Sequence, residues 1–155
     1  MFQTPSPEEH AQLLRELGPL PVQGMAWPTW IKVATVAMVL AIAGWIVRLA
    51  SSPELAQIGT PALASFGVCV LGLGVLAWLM VKSQTRITDA GIEQSWLGTR
   101  HIAWEEIQYA KFVPLPGAKR LICFTRRNRP VVFQGGTRAL HIAFARIAVT
   151  YRRRR

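Results

Sequence analysis

Apolar and polar positions follow three different patterns along the chain. No charge interrupts Val33 to Val47, and Lys32 and Arg48 close that run at either end. A second uncharged run, 21 residues from Pro61 to Val81, stops at Lys82. Runs of this length predict two helices that cross a bilayer, over about Trp27–Ala50 and Pro61–Val81. Lys32 and Arg48 stand 16 residues apart, about 24 Å on a helix, and their long side chains can reach outward to cover a ~30 Å core. Trp27, Trp30, Trp45 and Trp78 fall near the expected interfaces. The polar link Ser51–Thr60 is short, so the two helices should form an antiparallel hairpin. Ala37, Ala41 and Gly44 on one helix, and Ser65, Cys69 and Gly72 on the other, recur at i, i+4, i+7. They would let the backbones approach, or they are ordinary membrane-helix composition.

Residues 1–28 read as an N-terminal tail. Ser6 can cap a helix with Pro7 at its first position, Leu13, Leu14 and Leu17 give one apolar stripe, and Gly18-Pro19 ends it. This short amphipathic helix would lie on the membrane surface or on a partner, or belong to a weakly ordered tail. It is not a signal peptide: it lacks a basic start, and about 28 residues precede the apolar run.

From residue 83 the pattern shortens to strand periods. Arg86–Thr88, Ile92–Leu97, Arg100–Trp104, Tyr109–Leu115, Arg120–Arg126 and Val131–Gln134 read as about six strands, with turns at Asp89-Ala90-Gly91, Gly98-Thr99, Pro116-Gly117 and Arg127–Pro130. Thr137 can cap a last helix, on which Leu140, Phe144, Ile147 and Tyr151 share a face. The domains expected are a tail over 1–28, a membrane hairpin over 29–82 and a strand-rich domain over 83–155.

Charge sharpens this division. The 155 residues carry a net charge of +10 although 51% are hydrophobic. From Lys82 onward fifteen Lys and Arg face four acids (+11), whereas three face four before it (−1). Lys82, Arg86 and Arg100 lie close to the membrane, and the link holds only Arg48 at its edge. The positive-inside rule therefore puts both termini in the cytoplasm. Cys69 and Cys123 face no oxidising compartment on this topology, so no disulfide is expected.

Ile87-Thr88-Asp89-Ala90-Gly91-Ile92, followed after a hairpin by Ile102-Ala103-Trp104-Glu105-Glu106-Ile107, resembles the bacterial pleckstrin-homology-like (PH-like) domain. That family often reads T-x-x-G-apolar, then apolar-P-W-x-D/E-I; here Ala103 replaces the proline. The resemblance covers about residues 84–150, and two preceding spans are a common arrangement in such proteins. It implies a membrane α-helical hairpin plus an α+β domain, a small antiparallel PH-like sheet or barrel closed by a C-terminal helix. It also implies a bacterial inner-membrane location and no shared enzymatic activity. On the residues alone, Gly91 supplies a positive φ after Asp89, and Trp104 and Ile107 point into the sheet from a single helical turn while Glu105 and Glu106 face water. Gly91, Trp104 and Ile107 are thus structural anchors.

The remaining functional signal is basic. Lys119, Arg120, Arg126, Arg127 and Arg129 stand at the two ends of one strand and its turn, and Arg152, Arg153, Arg154 and Arg155 end the chain. They would meet anionic lipid headgroups, at about 1 kcal/mol per cation, or a protein partner, or they form a solvated positive-inside face. Nucleic acid is disfavoured because the turn lacks interleaved aromatics. His10, His101 and His141, with a single aspartate, offer no base–nucleophile pair or metal triad, so neither catalysis nor a metal or cofactor is expected. The chain therefore reads as a non-enzymatic membrane protein whose basic domain mediates protein interaction or self-assembly at the membrane surface. The alternatives are an anionic-lipid-binding regulatory module and an accessory subunit of a larger membrane complex.

Overall fold

In the computed structural model, which describes residues 5–53, 59–127 and 129–152, the first helix forms where the capping signal places it. α1 spans Pro7–Leu17: the Ser6 hydroxyl accepts from the Glu9 amide at 3.2 Å, and the Glu9 carboxylate accepts from the Ser6 amide at 3.0 Å. Leu13 is fully buried, and Leu14 and Leu17 pack against the same core. After α1, β1 (Val22–Met25) pairs antiparallel with β2 (Gln84–Ile87), Val22 opposite Ile87 and Met25 opposite Gln84.

The segment predicted to be a tail is therefore part of the domain. Residues up to Pro28 and from Lys82 onward form one compact unit, and Thr29–Val81 forms a second. The two long helices are an insertion between adjacent strands. They separate β1 from its partner in sequence, which is why the pattern of residues 83–155 alone looked self-sufficient.

The inserted unit holds α2 (Thr29–Ala50) and α3 (Thr60–Lys82), both long and apolar enough to cross a membrane, with mean hydropathy 2.1 and 2.2. Their most apolar stretches are 0% and 6% buried within the structure, whereas the core helix of a globular domain would be mostly covered. The Lys32 ammonium donates to the Val81 carbonyl at 3.0 Å, and the Thr35 hydroxyl approaches Met80 Sδ at 3.7 Å. Val81 lies in the last turn of α3, where carbonyls lack helical partners. Satisfying Lys32 there sets the face that α2 turns inward: Ile31, Thr35, Val39, Ile42, Ile46 and Leu49, all half-buried. Ala37, Ala41, Gly44, Ser65, Cys69 and Gly72 are exposed, so the small-residue stripes are not the contact within this hairpin. Trp30, Trp45 and Trp78 are exposed, but Trp27 is half-buried and meets Trp96 edge-on at 6.1 Å.

β3 (Gly91–Trp96) and β4 (Gly98–Ala103) complete a four-stranded antiparallel sheet ordered β1-β2-β3-β4. A single 3-10 turn, Trp104–Glu106, leads into a three-stranded sheet of β5 (Ile107–Val113), β6 (Lys119–Thr125) and β7 (Pro130–Gly135), and α4 (Arg138–Thr150) follows. Leu140, Phe144, Ile147 and Tyr151 are all buried, as the helical period requires, and they pack with Ile87, Ile92, Ile102, Leu121 and Phe133 of the sheets. Thr137 precedes α4 without capping it. Gly24 of β1 passes so close that a Cβ there would overlap Thr137 Oγ1, so this threonine is committed to packing against β1.

No strand ladder joins the two sheets among the described residues, so they do not close into a barrel. Side chains cover the outer edge of β7 instead. Gln134 N–H donates to Gln94 Oε1 at 3.3 Å, Gln134 O accepts from the Thr85 hydroxyl at 2.6 Å, and Val132 O accepts from the Arg100 guanidinium at 3.5 Å. Pro130 has no N–H to offer. An edge satisfied in this way has little left to pair with another strand.

Candidate functional site

The two halves of the motif noted in the sequence are joined physically. Trp104 Nε1–H donates to Thr88 O at 3.0 Å, and Gly91 lies so close to β4 that a Cβ would overlap the Ile102 carbonyl oxygen. Gly91 has a positive φ of 158°, which L side chains rarely adopt, so both its backbone conformation and this close approach demand glycine there. Trp104 is 5% exposed and Ile107 fully buried, while Glu105 and Glu106 face solvent.

This turn forms the wall between two adjoining hollows. One, of about 540 Å³, is lined by Glu105, Glu106, Thr125, Arg126, Arg127, Arg129 and Val131. The three arginines of the β6–β7 turn are thus accompanied by two carboxylates from the Trp104 turn, and the Arg126 amide donates to Glu106 O at 3.2 Å. The other hollow, of about 610 Å³, shares Glu105 and Arg126 and adds Asp89, His10, Trp104 and Tyr151. Here Trp104 stacks on Tyr151 with ring centroids 6.0 Å apart, and His10 tilts against Trp104 at 5.3 Å. The Tyr151 hydroxyl and His10 Nδ1 are 3.1 Å apart. Burial lowers the pKa of His10. Burial first, and Cys123 second, push the Tyr151 phenol up to about 12.

The other basic candidates lie apart from these hollows. Lys119 and Arg120 begin β6, opposite Gly135 and Gln134 of β7, at the far end of the strand from Arg126. Arg120 is half-buried, and its Nε has no hydrogen-bond partner. Arg152 is exposed beyond α4, and Arg153, Arg154 and Arg155 lie outside the described residues. His101 pairs with Glu93 across β3–β4 at 3.9 Å, and His141 Nε2 sits 2.7 Å from Gly135 O, so the three histidines are dispersed. Among the described residues no three His, Cys, Asp or Glu gather to hold a metal. Cys69 and Cys123 are both free thiols; the Cys123 thiol is pushed up to about 12 by burial.

No local pattern signals that His10 meets Tyr151, because 141 positions separate them. Their contact has a measurable consequence. Folded His10 resists protonation, so below its ordinary 6.5 the unfolded chain binds the extra proton and stability should fall with falling pH. Folded Tyr151 resists deprotonation, so stability should also fall as pH rises from 10 towards 12. Denaturation midpoints of the detergent-solubilised chain should show both limbs. Tyr151→Phe should shrink the alkaline limb without removing it, because the buried Cys123 thiol, also pushed up to about 12, contributes to it; an alkaline limb unchanged in that variant would assign it to Cys123 and other groups.

No protein-family model matches the chain, and no curated protein or solved structure matches it either.

Proposed function

We propose that this is a non-enzymatic, two-span membrane protein of the bacterial inner membrane with both termini cytoplasmic. Its PH-like domain docks another protein, or a second copy of itself, at the membrane surface. The arrangement of four strands, then three, then a helix supports the PH-like reading, as does the hydrogen bond that ties the Thr88 turn to Trp104. The observation that carries docking is the mixture of charges around the Trp104 turn. Arg126, Arg127 and Arg129 share their hollow with Glu105 and Glu106, so its formal balance is only +1 (three cations, two acids). An anionic headgroup favours unopposed cations, whereas a protein surface can answer both signs.

A photo-crosslinking residue at Arg127 of the full chain, activated in intact cells, tests this reading. Crosslinks to a protein chain are expected, and Glu105→Lys with Glu106→Lys should weaken them. Crosslinks to lipid alone would replace docking with the anionic-lipid module. A reporter active only in the cytoplasm should give signal at the C-terminus and none at Ser52. The opposite pattern would invert the topology.

A further inference from the structure

The tip of the β3–β4 hairpin lies at the end of the sheet from which the chain departs into α2 and α3. Register fixes this. Met25 pairs with Gln84, Gln84 pairs with Ser95, and Trp96 pairs with Gly98. Only Ala26–Pro28 separate β1 from α2, and only Ser83 separates α3 from β2. At about 4.8 Å per strand, the tip stands within roughly 5–10 Å laterally of the chain's exit. The opposite turn, Asp89-Ala90, is roughly 20 Å away along β3.

What the sheet carries at this end differs from its other surfaces. Leu97, at the tip, is 64% exposed, and Met25 on β1 is 42% exposed. Trp27 and Trp96 meet edge-on beside them. The indole N–H groups of both, and the hydroxyl of Ser83, are enclosed with no hydrogen-bond partner among the described residues. A large apolar side chain at a hairpin tip beside a tryptophan pair is poorly matched to water. It is well matched to the interfacial layer of a bilayer, where indoles concentrate.

We infer that the Trp96-Leu97-Gly98 tip, with Trp27, is a membrane-contact site that dips Leu97 into the interfacial layer of the bilayer. This rests on the reading that α2 and α3 span that bilayer. The occupant is the lipid surface because the same sheet end continues through two short connectors into the two apolar helices. The contact adds a third point of attachment to the two covalent ones, and so fixes which face the domain turns to the bilayer.

The test uses the full chain in liposomes with Cys69→Ala, leaving Cys123 buried. An environment-sensitive fluorophore is placed singly at Leu97→Cys, Ala90→Cys or Leu71→Cys. With a nitroxide-bearing lipid whose label sits just below the headgroups, the Leu97 probe should lose most of its emission and shift to the blue. The Ala90 probe should keep its emission and be quenched by aqueous iodide instead. The Leu71 probe, in mid-helix, reports whether the hairpin is inserted at all. A lipid-shielded Leu71 probe beside a Leu97 probe that behaves like the Ala90 one would overturn the contact site while leaving the spans in place. A water-exposed Leu71 probe would overturn both.

Discussion

A chain that begins at Lys82 should fail to fold, although it contains six of the seven strands found among the described residues, and the last helix. It lacks β1, which covers the edge of β2, and α1, which places Leu13 in the core. Truncating a buried leucine alone costs about 2–5 kcal/mol, against a total stability of about 5–15 kcal/mol for an ordinary domain. Losing Leu13, Leu14, Leu17 and Val22 together with a strand of backbone hydrogen bonds exceeds what remains. In contrast, residues 1–28 joined to 82–155 by a few Gly and Ser should unfold in a single sharp transition. Met25 and Gln84 already face each other, so a short turn can replace the hairpin. Near-UV circular dichroism and urea unfolding of the two versions decide the matter. The same cooperative transition in both would mean that the N-terminal segment contributes nothing to the fold.

Trp104→Ala in the joined version should lower stability by about 3–5 kcal/mol, the range for emptying an aromatic site in a core. The ring is packed between His10 and Tyr151, and its N–H holds the Thr88 carbonyl. Trp104→Phe retains much of the volume but drops that hydrogen bond, and should cost roughly half as much or less. An unchanged denaturation midpoint for the alanine variant would make Trp104 a surface residue and remove the wall between the two hollows.

The strands from Gln84 to Gly135 and the face of α4 were legible because each element carries its own period and its own turns. The Asp89-Ala90-Gly91 turn and Leu140, Phe144, Ile147 and Tyr151 are local patterns. The N-terminal contribution was not legible. β1 has four residues, one of them glycine, between Pro21 and Pro28, and its partner lies beyond the hairpin. Nothing local distinguishes such a segment from a tail; only the pairing does. The arginines were legible as charge, but which acids accompany them depends on where the Trp104 turn packs. The inward face of α2 was left open between two readings for a related reason: the contact follows the hydrogen bond of Lys32 rather than the spacing of small residues.

The insertion of the hairpin between β1 and β2 also orders events during synthesis. β1 leaves the ribosome first but cannot pair until about sixty further residues have emerged. Closing a free loop of that length would cost roughly 3–4 kcal/mol of chain entropy. On the proposed two-span topology, helices inserted side by side bring the ends of that loop together beforehand, so most of this cost falls on membrane insertion and not on the strands. Insertion would then be the nucleation step for the domain. A copy left outside the membrane would expose two apolar helices and leave its first strand unpaired.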